Sequence, residues 1–200
     1  IAIGRNALGS NTTGTLNTAL GYDALFTNVD GDNSTAVGYQ ALYTQEPASN
    51  VDMHNTAVGF NSMYALTTGI KNNAVGSYSL DAAVTGDFNN AFGYQALSGN
   101  TSGGSNSAFG HNAMAASSTG SSNVAVGRDS LLANTTGAQN VAVGSLALDA
   151  NTTADNNVAV GYAALSTVST GANNVAIGTR ALNVNAASNN VAVGLSAARY

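Results

Sequence analysis

The residues of this 200-residue chain that could bind or transform another molecule are few: two histidines, ten carboxylates and a recurrent aromatic. A histidine beside an acid can shuttle a proton, and with further ligands it can hold a metal. His54 and His111 are far apart, and neither forms a nucleophile or metal-ligand pattern with Asp or Glu. "DGDN" at Asp30–Asn33 resembles part of a calcium loop but lacks the downstream Glu, so it reads as a turn. The Gly-rich Ser98–Ser107 has no Lys-Ser/Thr end and does not fit a phosphate loop. With no cysteine either, the reading is of a protein without catalytic residues, metal or cofactor.

The aromatics are more promising. Tyr22, Tyr39 and Phe60, then Tyr94 and later Tyr162, each follow a Gly in the same local context. Rings stacked on a rigid face are candidates for a glycan-binding strip, with a stabilising ladder as the plainer alternative. A second candidate is the segment Tyr43–His54, which carries the only Pro and the only Glu; Tyr43, Glu46 and His54 would form a binding loop. Sequons at Asn11, Asn100, Asn134 and Asn151 recur with a turn and are read as turn residues.

These residues are positioned by a repeat. Ala-(Val/Ile/Leu/Phe)-Gly recurs with its Gly at 4, 21, 38, 59, 76, 93, 110, 127, 144, 161, 178 and 194. The spacing is 17, except 21 across the insertion and 16 before Gly194. Counting from that Gly, position four is Ala or Ser, position five Leu or Met except at Ala198, and position eleven usually a second Gly. Position fourteen is an Asn column: Asn17, Asn55, Asn72, Asn89, Asn106, Asn123, Asn140, Asn157, Asn174 and Asn190, with Ser34 the exception.

A 17-residue period is too short for helical-hairpin or leucine-rich repeats. The runs before each Gly alternate and are β-branched, which is strand chemistry. We therefore expect an all-β parallel β-solenoid (β-roll) of twelve coils, one domain over 1–200. Each coil would have two short strands and two turns, with positive φ at the Gly of positions one and eleven. The Asn column would form side-chain amide ladders along the stack. The interior would hold about one Val or Ile, one Leu and two small residues per coil. So thin a core predicts lateral association, best as a homotrimer, through either the small-residue or the aliphatic column.

The units "NNVAVGYAAL", "NTAVGFNSM" and "NVAIGTRAL" resemble the head repeats of YadA-like trimeric autotransporter adhesins, and "TAVGYQAL…NTTG" looks like repeats of bacteriophage tail fibres. The resemblance covers the whole chain and implies a trimeric β-roll in an extracellular attachment structure, on a cell surface or a virion. The period here is longer than in those heads, and the chain lacks a basic neck, heptad stalk or membrane barrel.

Composition narrows the partners. Charged residues are 8%, there is no Trp, and the net charge is −5. Five scattered cations do not make a nucleic-acid surface. No apolar run is long enough to insert in a bilayer as a helix. The chain starts within the repeat, so we expect a fragment of something longer. The expected role is a non-enzymatic shaft or head of an attachment fibre, self-assembled and engaging a cell-surface glycan or host receptor. Two rivals remain. A Thr row before the second Gly (Thr13, Thr68, Thr85, Thr119, Thr136, Thr153, Thr170) suits an ice-binding solenoid. Uncapped ends would suit an end-to-end extracellular filament.

Overall fold

The computed structural model describes residues 1–82, 85–167, 169–183 and 187–198. One strand per repeat, from β1 (Ala2–Ile3) and β2 (Thr18–Leu20) to β12 (Val191–Val193), builds a single parallel sheet in sequential order. Eleven turns join the twelve strands into a β-solenoid, with no helix among the described residues. Register follows the repeat: Ala19 pairs with Ala36, Ala36 with Ala57 across the insertion, and Ala176 with Ala192 across the shortened unit.

The second strand expected in each coil is absent among the described residues. Its place is taken by a bend in which positions three and five are left-handed in all twelve coils, as at Gln95 (φ 53°) and Leu97 (φ 54°). A left-handed non-Gly residue costs roughly 1–2 kcal/mol. What holds it is coil-to-coil bonding. The amide of Asn112 donates to Tyr94 O of the preceding coil (2.9 Å), and that of Met114 to Ser130 O of the following one (3.0 Å). The backbone is thus paired along the axis even where it is not strand.

Position one needs Gly twice over. Its φ lies between 128° and 145° in every coil, and a Cβ on Gly93 would stand 2.3 Å from Gly110 O of the next coil. Position eleven differs from expectation, since none of its Gly residues has positive φ. There the demand is close approach: a Cβ on Gly103 would lie 2.1 Å from Gly120 O.

The interior also departs from expectation. In each three-residue strand the central Ala points inward and its two neighbours outward, as the two-residue pleat requires. The core is therefore Ala at the strand centre, Ala or Ser at position four, and Leu or Met at position five, including Leu97, Met114, Leu131 and Leu148. Val and Ile are on the outside. One Leu from the bend fills a coil this narrow and leaves room opposite for little more than a methyl group.

A buried Asn column at position fourteen and a second at position eight, interrupted by Leu66 and Ser117, complete the interior. Asn89 Oδ1 accepts the amide of Asn106 (3.1 Å), and its Nδ2 donates to Gly103 O (2.9 Å), both in the next coil. Gly103 O also accepts Asn100 Nδ2 from its own coil at 2.9 Å. The pattern recurs at Gly31, Gly137 and Ala154. Both lone pairs of one carbonyl thus hold a buried amide, one from each of two coils. The bonds run mainly from side chain to backbone, with amide-to-amide contacts only in places, as from Asn140 Nδ2 to Asn123 Oδ1 (3.2 Å). Where Ser34 shortens one column, Gln45 lengthens the other: its side chain meets Asn28, Ser34 and Asn55 in a fully buried cluster.

A two-coil periodicity lies over the single-coil one. At position twelve the amides of Ile70, Gly104 and Ala138 donate to Asp87 (2.8 Å), Ser121 (3.1 Å) and Asp155 (2.7 Å) in the following coils. Every second coil supplies the acceptor, so neighbours are latched in pairs.

Candidate functional site

No pocket opens among the described residues, and they include no group of three or more His, Asp or Glu placed to hold a metal ion. The candidate site is a surface. The outward strand positions, fifteen and seventeen, carry no charged residue in any coil. Position seventeen is apolar throughout, and half-exposed at Val126 (39%) and Ile177 (42%). Phe92 and Phe109 stack on this face at 5.0 Å.

Beyond the coil Gly lies the aromatic column. Tyr22 and Tyr39 stack at 5.3 Å and 10°, Tyr39 and Phe60 at 5.0 Å and 8°. Ser77 breaks the column in sequence, but Tyr78 from position three fills the gap, edge-on to Phe60 (5.4 Å, 64°) and Tyr94 (6.0 Å, 82°). Tyr94 stacks on His111 at 5.3 Å, and Arg5 covers the other end, 5.6 Å from the Tyr22 centroid. Tyr162 lies apart, with Arg180 5.8 Å from its ring. The ring faces in the ladder are turned to one another and its start is capped by a guanidinium. A sugar stacks on a ring face; here the solvent meets mainly edges, which weakens the glycan-strip mechanism at Tyr22, Tyr39 and Phe60.

A second ladder, not anticipated from the sequence, runs on another column. Position six carries Phe26, Tyr43 and Tyr64, stacked at 5.4 and 5.2 Å. Its signal was an aromatic at the same offset from Gly21, Gly38 and Gly59. Tyr43 therefore belongs to a regular column and not to the protruding loop. Glu46 is tied down as well, accepting the amide of Val29 at 2.7 Å. Gln45, Pro47 and Met53 are buried and anchor the insertion, while residues 48–51 and His54 are exposed. Tyr43, Glu46 and His54 thus play separate parts, and the loop tip is what projects.

The remaining candidates are structural in their contacts. In Asp30–Asn33, Asp32 accepts from the Thr15 amide and hydroxyl, and Asn33 Nδ2 donates to Asp52 at 2.6 Å. Asn100, Asn134 and Asn151 of the sequons are fully buried, so the folded chain does not present them for glycosylation. Thr101, Ser118, Thr135 and Thr152 each donate a hydroxyl bond to a carbonyl of the next coil, a ladder on position nine. The Thr row at position ten is exposed throughout. Burial raises the carboxyl pKa of Asp81 and of Asp149, both at position six, and the Asp129 charge adds to the shift at Asp149. No helix is long and apolar enough to cross a membrane among the described residues.

No family model matches the chain, and neither a curated protein nor a solved structure matches it.

Proposed function

We propose that this chain is a non-enzymatic, rigid segment of an extracellular attachment fibre, on a cell surface or a virion, that self-associates as a homotrimer through its outer strand face. One observation carries the reading: a twelve-strand face, roughly 55 Å long at the ~4.8 Å strand spacing, without a charge and with an apolar residue in every coil. A continuous, partly exposed apolar strip of that kind marks an interaction surface. The small-residue column is interior, which leaves the aliphatic column as the one available for association.

Stiffness has its own source. Each coil is fastened to the next by strand pairing and by amides of the bend, reinforced by the double-Asn joint at Gly31, Gly103, Gly137 and Ala154, so a bending or pulling force loads many bonds together. The insertion tip at 48–51 and the edges of the aromatic column are the parts left to meet a receptor or a glycan. Light scattering on a sizing column tests the assembly. A mass three times that of the chain is expected; a stable monomer at high concentration would overturn it.

The exposed Thr row favours a second reading, ice binding, because it presents a hydroxyl and a methyl group at the coil spacing. It lies in a bend and not on the flat strand face, and Asp30 and Ser102 interrupt it. Thermal hysteresis in a concentrated solution of the monomer would promote it over the fibre; its absence would remove it.

A further inference from the structure

The two aromatic ladders share a feature that stacking alone does not need. Each contains one face-to-face pair of tyrosines on adjacent coils with a phenylalanine stacked beside it: Tyr22–Tyr39 is followed by Phe60, and Tyr43–Tyr64 is preceded by Phe26. The rings in each pair are 10° from parallel, with centroids 5.3 and 5.2 Å apart. Tyr22 and Tyr39 are 38% and 42% exposed, and Tyr43 and Tyr64 are half-buried. The coil-to-coil ladder holds their backbones one strand spacing apart: the amide of Thr27 bonds Tyr43 O, and that of Thr44 bonds Tyr64 O, both at 3.1 Å.

We propose that Tyr22–Tyr39 and Tyr43–Tyr64 are sites of oxidative cross-linking, each pair joining as a dityrosine when the fibre meets a haem peroxidase and hydrogen peroxide. One peroxide removes a proton and an electron from each of two phenols and is reduced to two waters. The two phenoxyl radicals form a carbon–carbon bond between ring positions ortho to oxygen. Each coupled ring then loses its ortho proton and regains one on oxygen, so both phenols are restored and each bond costs the chain two hydrogen atoms. A phenoxyl radical on either member already faces its partner, which gives intramolecular coupling the advantage of proximity. Phe26 and Phe60 form no phenoxyl radical, and Tyr78 and Tyr94 meet edge-on and not face to face, so each ladder makes one bond.

Position matters to what the bonds would do. The first fastens the coil beginning at Gly21 to that beginning at Gly38; the second fastens the latter to the coil beginning at Gly59. The coil held from both sides is the one that carries the insertion. Backbone bonds to the neighbouring coils hold on both sides of its projecting tip, at Glu46 and Met53, and the two cross-links would add a covalent bond on each face of this coil.

The test uses the intact chain at low concentration with a haem peroxidase and limiting peroxide, read by dityrosine fluorescence, intact mass and peptide mapping. Two bonds within one chain are expected, with a loss of four hydrogens, at Tyr22–Tyr39 and Tyr43–Tyr64. Tyr39→Phe should lose the first bond and keep the second, and Tyr64→Phe the reverse. Phe preserves the stacking, so unchanged circular dichroism will show both variants folded. The edge-on pair Tyr78–Tyr94 and the solitary Tyr162 serve as internal controls and should stay uncoupled. The proposal is overturned if coupling is mainly between chains, if it reaches Tyr94 or Tyr162 as readily, or if urea-unfolded protein gives the same pattern.

Discussion

From Thr18 to Ser107, the outward residue ahead of the inward Ala is polar: Thr18, Thr35, Thr56, Asn73, Asn90 and Ser107. From Val124 onward it is Val in every coil, to Val191. The aromatic ladders and the insertion lie in the first stretch, and the wholly aliphatic double column in the second. Inside, the two stretches are alike, with the same Ala, Leu and Asn columns and the same coil Gly. A solenoid separates its problems in this way. The interior must repeat because each coil is the template for the next, while the exterior meets no such constraint and can be spent on different tasks along one rod.

If that division is right, changes to the interior should cost the same at both ends. The largest effect is expected at the coil Gly. Gly93→Ala in the first stretch and Gly144→Ala in the second each push a Cβ to 2.3 or 2.4 Å from a carbonyl oxygen of the next coil, at φ 142° and 136°. Each should lower stability by about 4 kcal/mol or more. Urea unfolding of the two variants should agree closely; a large gap between them would break the equivalence.

Next in size is the Asn joint. Asn89→Ala removes the acceptor of the Asn106 amide and one of the two donors to Gly103 O; Asn140→Ala does the same to Asn157 and Ala154. A buried amide left unpaired costs roughly 1–3 kcal/mol. Both variants should fall in that range, again alike. Loss of the joint should also show as faster hydrogen exchange at Asn106 or Asn157 before any change elsewhere.

Much of this was legible in the sequence, and the exceptions share a cause. The period, the parallel register and the Asn column follow from spacing, and the strand segment from its β-branched run. The direction of that strand did not follow. Hydropathy puts Val inside, but the Ala between two Val residues faces the core because Leu97 and its equivalents already fill the coil from the bend. The bend carries no signal of its own, since Leu at a left-handed position has none of the Gly or Asn character of such backbone. The ladder of Phe26, Tyr43 and Tyr64 was hidden because the insertion drew Tyr43 into a supposed loop. In each case the missing information was what the neighbouring coil supplies, which no single repeat contains.

Changes to the exterior should separate the two stretches. Val158→Lys places a charge within the double aliphatic column, whereas Thr35→Lys places one where the column is already polar. A substitution at these two half-buried outer positions, where a lysine can reach solvent, should move the stability of an isolated chain by no more than about 0.5 kcal/mol in either place. Association should respond unequally: light scattering should show a clear loss of mass for Val158→Lys and a smaller one for Thr35→Lys. An equal response would mean that the polar and aliphatic stretches contribute alike to assembly.

The smallest effect compares two acids in equivalent places. Asp81 and Asp149 occupy position six in the two stretches, and burial raises the pKa of each above the usual 3.8. A raised carboxyl binds its proton more tightly folded than unfolded. Its contribution to stability is therefore fully present below pH 3.8 and is lost as pH rises through the folded value. Asp81→Asn and Asp149→Asn should both stabilise the chain at neutral pH, with the advantage shrinking to nothing in acid. Asp149→Asn should gain more, because Asp149 Oδ1 is buried without a hydrogen-bond partner and Asp129 repels its charge. Urea titrations at a series of pH values decide the matter. An advantage that persists below pH 3.8 would show that the carboxyl charge is not what these two coils have to accommodate.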